Sequence, residues 1–142
     1  MADNIPKLPT KLTLVVVTRE RKVLETEIDE VELPASDGEI GILPGHTPLL
    51  TTLRIGEMRY RSGTTVSRLV LLWGFAEILP DRVIVLAETA VLPSEIDAAA
   101  AERMKAEAER ELGSLASHDH DFSVVEARLE ESVALINMSR HL

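Results

Sequence analysis

At 142 residues, 45% of them hydrophobic and 27% charged, the chain is long enough to bury a core and too short for a third module. A formal charge of −9 argues against nucleic acid as a direct partner, since phosphate binding wants a basic face, and zero cysteines exclude a disulfide scaffold and thiol chemistry. No apolar run approaches the ~18 residues a membrane-crossing helix needs, so direct membrane insertion is not expected and any membrane association goes through a partner.

Met1 to Pro9 has neither an apolar signal core nor an Arg/Ser-rich amphipathic pattern and reads as an untargeted start. Leu12 to Val17 is β-branched and too short for a helix core, which predicts a strand. After the polar reversal Glu20-Arg21-Lys22, Leu24, Thr26 and Ile28 alternate with acidic residues, the period-two pattern of a half-buried strand. Val31 and Leu33 predict the next one. Asp37-Gly38 then predicts a type I′ reversal with positive φ at both residues. A short strand follows from Glu39 to Leu43, in which Gly41 predicts a bulge or a close backbone approach. Pro44-Gly45 suits the central positions of a type II turn.

Leu49 to Arg54 and the alternation of Met58 and Tyr60 with charged residues predict two more strands before a turn at Ser62-Gly63. Val66 to Leu72 and Phe75 to Leu79 read as strands on either side of a bulge at Trp73-Gly74. Pro80-Asp81 closes a hairpin onto Val83 to Ala87, the last clear strand. Short strands between regularly spaced turns predict an antiparallel β-sandwich or flattened barrel for residues 1–93.

At Pro93 the pattern changes. Ser94 with Asp97 predicts a capping box, and Ile96, Ala100, Met104, Ala108 and Leu112 recur every four residues up to Gly113. Ser123 with Glu126 predicts a second cap, for a helix whose stripe is Phe122, Val125, Leu129, Val133 and Ile136. Joined by Ser114 to Asp121, the two predict an antiparallel helical hairpin over 94–142. Its first stripe is mostly alanine and buries little area, so the hairpin should detach more cheaply than the sandwich. It holds five basic and eleven acidic residues, a net charge of −6.

Few residues suggest chemistry. His46 follows a turn with no Ser, Cys or second His near it in sequence, and a general base needs a positioned partner, so it reads as a turn or contact histidine. His118-Asp119-His120-Asp121 reads as a solvated loop, because consecutive residues do not all converge on one ion. A small hydrolase built on His118 and His120 would leave the hairpin unexplained. Gly38, Gly41 and Gly45 do not form a dinucleotide-binding spacing, and a phosphate loop is absent. A sandwich that binds a small ligand wants exposed aromatic platforms; the chain has one Trp, one Tyr and two Phe, so that reading rests on whether Trp73 is exposed in a groove.

The run Ser36-Asp37-Gly38-Glu39-Ile40-Gly41-Ile42-Leu43-Pro44-Gly45-His46-Thr47-Pro48-Leu49-Leu50 resembles the signature of the epsilon subunits of F-type ATP synthases, and the predicted sandwich plus hairpin extends the resemblance over the whole chain. It implies a non-catalytic subunit of the rotating central stalk that couples proton-driven rotation to ATP synthesis. The sandwich would grip the gamma subunit with one face and meet the c-ring with its 39–46 edge, with Glu39, Gly41 and His46 as contact positions. The location implied is the cytoplasmic face of the bacterial plasma membrane, as a peripheral protein. The hairpin would be regulatory, reaching the catalytic alpha and beta subunits to block ATP hydrolysis, although its net charge makes long-range attraction to an acidic surface weak.

Some members of that family bind ATP on the hairpin through Ile/Leu-Asp-x-x-Arg-Ala. Here Ile96 and Asp97 are kept but Ala100 replaces the arginine, which removes the planar charged donor best suited to phosphate. Arg103 and Arg128 remain as basic candidates, with Glu102 and Glu107 nearby. No metal site and no resident cofactor are expected.

Overall fold

The computed structural model describes residues 5–141; Met1–Asn4 and Leu142, the outer ends of the two predicted regions and of the predicted untargeted start, lie outside the described residues. Strand β1 (Leu12–Val17) pairs antiparallel with β2 (Lys22–Ile28). Strand β3 (Glu30–Ala35) pairs with β4 (Gly38–Ile42), and with β5 (Leu49–Leu53) and β6 (Gly56–Ser62) on its other side. Strand β7 (Thr65–Leu79) pairs with β5 and β6 along one edge and with β8 (Arg82–Val91) along the other. All pairings are antiparallel except β1 with β8, which run parallel. The predicted sandwich is thus one folded-over sheet with β2 and β4 at its ends. Its core is Leu12, Leu14 and Val16 of β1, Val83 and Val85 of β8, Val31 and Leu33 of β3, Met58 of β6 and Leu69, Leu71, Ala76 and Ile78 of β7.

A single residue, Asp29, separates β2 from β3 at the corner where the chain changes layers. Its backbone N–H donates to the Arg61 carbonyl at 2.8 Å, its carboxylate accepts the Gly63 N–H at 2.6 Å, and Lys11 donates to it from the start of β1. Lys11, then the Gly63 amide, holds the carboxyl below the usual aspartate range. Outside the corner, Arg59 pairs with Glu32 and Arg61 with Glu30 across β3 and β6, which pins their register.

Two turns depart from expectation in opposite ways. The reversal between β3 and β4 is centred on Ser36-Asp37, so only Gly38 takes a positive φ, +131°, and the predicted type I′ turn does not form. The β3–β4 ladder pairs Ala35 directly with Gly38, which places the turn one residue earlier than the Asp37-Gly38 signal suggested. Pro44-Gly45 behaves as predicted: Gly45 has φ +83° and the His46 N–H donates to the Leu43 carbonyl at 3.2 Å. The bulge or close approach predicted at Gly41 is absent among the described residues. Gly41 pairs in unbroken register with Glu32, and a Cβ there would meet nothing within 4 Å.

The bulge predicted at Trp73-Gly74 is replaced by a kink in one long strand. The β7–β8 register is the same on both sides of it, Leu72 opposite Thr89 and Gly74 opposite Ala87. What changes is the facing. Leu69 and Leu71 point inward before the kink, Ala76 and Ile78 after it, and β8 makes the matching switch between Ala87 and Ala90. Two consecutive positive φ angles, +53° at Trp73 and +144° at Gly74, carry the switch. Gly74 is obligatory there, because a Cβ would overlap the Leu86 carbonyl oxygen and lie 2.8 Å from Ala87 Cα.

The hairpin forms with different caps. Pro93–Glu95 is a 3-10 turn in which Glu95, not Ser94, accepts the Leu92 N–H. Helix α1 (Ala98–Ser114) begins after Asp97, whose carboxylate accepts the Ala100 N–H at 3.0 Å. Gly113 lies inside its last turn rather than ending it. Helix α2 (Phe122–Ser139) begins after Asp121 with Ser123 already helical, so the second predicted capping box is also absent. The helices pack on each other, and α2 packs on β6 and β7. Val70 faces away from the sandwich core yet is fully buried, which the cover of α2 explains; Ile136 and Met138 are buried on the helix side. Val133, expected in the α2 stripe, stays partly exposed at the groove beside Ile55 and Glu57.

Candidate partner-binding surfaces

The strand β4 is a sheet end, which sets the geometry of the 39–46 segment. Ile40 and Ile42 turn inward, so Glu39 and Gly41 share the exposed outward face of the strand. His46 stands beyond the Pro44-Gly45 turn, half-buried, with Nδ1 2.6 Å from the Thr47 carbonyl, to which it donates. The Gly45 N–H donates to the Pro80 carbonyl at 2.7 Å, so this turn and the β7–β8 turn form one end of the sandwich. Leu43, Leu49 and Leu50 are exposed at that end. The strand offers a side-chain-free gap at Gly41, directly opposite Glu32 of β3, while Glu39 at its start also lines the groove that α2 forms with Arg54 and Glu57.

A second surface was not legible as such in the sequence. Direct register partners Val17, Leu86, Phe75 and Thr52 form one row across β1, β8, β7 and β5, on the side away from the core. The next row is Val15, Ile84, Glu77 and Leu50. Phe75 is 52% exposed, Leu86 53% and Leu50 70%, although a strand's outward face ordinarily carries polar residues. Trp73 stands beside the first row, 44% exposed, and with it lines an open groove of about 830 Å³ whose lining also includes Arg19, Ser36 and Glu88. The outward face of this sheet is therefore divided: α2 covers the half beyond the kink, and the half with Phe75 and Leu86 is left exposed except at Val15, which is buried. The signal that could have found it is the alternation itself, since Ala76 and Ile78 inward force Phe75 outward.

The four hairpin candidates are not brought together. Asp97 is occupied in capping α1, and Ile96 is half-buried beside it. Arg103 is exposed in the first half of α1, whereas Arg128 of α2 pairs with Glu111 at 3.3 Å, near the other end of that helix. Eight residues of helix, about 12 Å, separate Arg103 from Glu111. Among the described residues no three His, Cys, Asp or Glu side chains converge as metal ligands, and no helix is long and apolar enough to cross a membrane.

Residues 11–93 match the family described as the ATP synthase, Delta/Epsilon chain, beta-sandwich domain. The ATP synthase epsilon chain 2 of Syntrophotalea carbinolica is 43% identical over 129 residues, covering 91% of this chain and 94% of that one. The ATP synthase epsilon chain of Geobacter sulfurreducens is 42% identical over 128 residues, covering 90% and 91%. A chain of the Euglena gracilis mitochondrial ATP synthase OSCP/F1/c-ring structure superposes with a TM-score of 0.81 at 22% identity, over 92% of this chain and 82% of that one. One from the central stalk and c-ring of the Tetrahymena thermophila mitochondrial enzyme gives 0.64 at 12%, over 94% and 99%. At these identities the structural likeness carries the fold.

Proposed function

The chain belongs to the ATP synthase epsilon-chain family, and from that premise we propose that its bare β1-β8-β7-β5 face grips the gamma subunit while the Glu39–His46 end meets the c-ring. A subunit of this family is a non-catalytic part of the central stalk that couples rotation to ATP synthesis in the catalytic head. Its task is mechanical, so the interfaces must be stiffer than the load. The observation that carries the reading is the exposed row Val17-Leu86-Phe75: apolar side chains aligned by backbone register on a rigid sheet mark a protein contact rather than a solvated surface. Glu39 and Gly41 on the end strand, with His46 beyond the turn that closes it, support the c-ring contact, because polar loops need a small, open edge to approach. Through these contacts the chain sits peripherally at the cytoplasmic face of a bacterial plasma membrane.

Residues 94–142 act as a separate regulatory unit that can leave its seat on β6 and β7 and reach the alpha and beta subunits. Thin alanine packing between the helices and a small seat on the sheet support this. Deleting these residues and assaying the assembled enzyme tests it: faster ATP hydrolysis supports a brake, and unchanged hydrolysis counts against one. ATP as a ligand of the hairpin finds little support, with Asp97 engaged in a cap and Arg128 engaged by Glu111.

For the sandwich, the test is a pull-down with purified gamma subunit. Phe75→Glu combined with Leu86→Glu is expected to lose the complex, at about 2 kcal/mol or more for each anchoring side chain. Full binding by the double variant would move the contact elsewhere. A small-ligand-binding sandwich draws on the same groove, because Trp73 is exposed in it; saturable binding of a small apolar dye that gamma does not displace would favour that second reading.

A further inference from the structure

The groove beside the outer row holds the one non-glycine residue with a positive φ among the described residues. Trp73 has φ +53°, the left-handed region, where a bulky L-residue carries a steric cost of about 1–2 kcal/mol. The facing switch in β7 needs two positive φ angles, and Gly74 supplies one of them without strain. A glycine at 73 would supply the other as cheaply. Instead the position holds the largest side chain available, left 44% exposed, so the strain is not repaid by complete burial. Its indole lies with Phe75, Leu86 and Leu53 along a groove that Arg19 and Glu88 also line.

We infer that Trp73 is the anchoring residue of the gamma contact, held by the kinked backbone so that its indole and Phe75 form the two walls of a slot for an apolar side-chain ridge of gamma. This rests on the reading of the bare face as the gamma surface. The occupant is gamma rather than a second copy of this chain because the groove continues the row Val17-Leu86-Phe75 assigned to it, and because its lining carries charges of both signs, Arg19 and Glu88, which suits a partner segment carrying both charges. Large aromatic anchors in partly enclosed apolar slots dominate interface energetics. The left-handed backbone at Trp73 narrows the rotamers open to its side chain before binding, so less side-chain entropy is lost on association.

Trp73 is the only tryptophan of the chain, so wild-type fluorescence reports on it directly in the full-length protein, provided that the gamma used contains none. Complex formation is expected to shift its emission to shorter wavelength and protect it from an aqueous quencher. Trp73→Gly, which keeps the kink, is expected to weaken gamma binding at least tenfold while far-ultraviolet circular dichroism is unchanged, and Trp73→Phe is expected to retain most of the affinity. Emission and quenching unaltered by gamma would overturn the inference without any variant. Binding by Trp73→Gly within twofold of wild type, with the Phe75→Glu, Leu86→Glu variant inactive, would overturn the anchor and leave the face standing. Undiminished binding by both would remove the face as well.

Discussion

The carboxylates of Asp29 and Glu131 feel opposite environments, and each sets its own dependence on pH. Asp29 ties the β2–β3 corner, and its cation and amide partners depress its pKa below the ordinary 3.8. Its stabilising contribution is therefore complete above that value and is lost as pH falls through the lower folded one. Asp29→Asn should lower the thermal midpoint at pH 7, with the difference from wild type closing in melts taken below pH 3.8. Glu131 on α2 is shifted the other way, raised above 4.5 by burial against a smaller opposing pull from Arg128. Below 4.5 both folded and unfolded forms are protonated and nothing is lost; as pH rises through the raised value the packed helix bears the cost of a desolvated charge. Glu131→Gln should therefore unfold at a higher temperature than wild type at pH 7 and at the same temperature at pH 4. Gly74→Ala has no such window. With a carbonyl where the methyl would go, it should destabilise the sandwich by about 3 kcal/mol or more at any pH, read by chemical denaturation.

Strands and helices obey the sequence where one rule governs them. β-Branched composition placed Leu12 to Val17, and period-two alternation placed Leu24 to Ile28 and Met58 to Tyr60, within a residue or two of β1, β2 and β6, and helical periodicity found both helices. The rule failed at Trp73-Gly74, where alternation slips by one residue in two strands at once: Leu71 and Ala76 both face inward, so no single phase fits β7. The helix starts were misread for a different reason, because Ser94 and Asp97, and Asp121 and Ser123, are alternative caps; a 3-10 turn over Pro93–Glu95 moves the first start to Asp97, and α2 begins one residue before Ser123. The end strand bearing Glu39 and Gly41, and the turn that leads to His46, were legible in the sequence, while the bare apolar face was hidden because it is assembled from four strands distant in sequence. Packing of α2 makes its own prediction. Met138 is fully buried against the sheet, so Met138→Ala should cost the hairpin seat about 2–5 kcal/mol. Hydrogen exchange should then quicken in α2 and stay slow in β1 and β8.

Across the molecule, the outward side of the folded sheet has one half covered by the chain's own helix and the other left bare. Removing residues 94–142 would strip the cover from Val70 and Ile55 and should yield a sandwich that still folds and binds gamma but aggregates more readily, as light scattering would report. The strand that joins the two halves is β7, fifteen residues long and hydrogen-bonded on both edges. A tug on the Trp73 slot directed along that strand loads its ladders in shear, so many bonds must yield together instead of peeling one at a time. The same continuous backbone runs beneath the helix, and a twist applied at the slot is felt at the seat of α2 without any loop in between to absorb it. A driveshaft fitting needs that property: little backlash between where the axle grips it and where its governor rests.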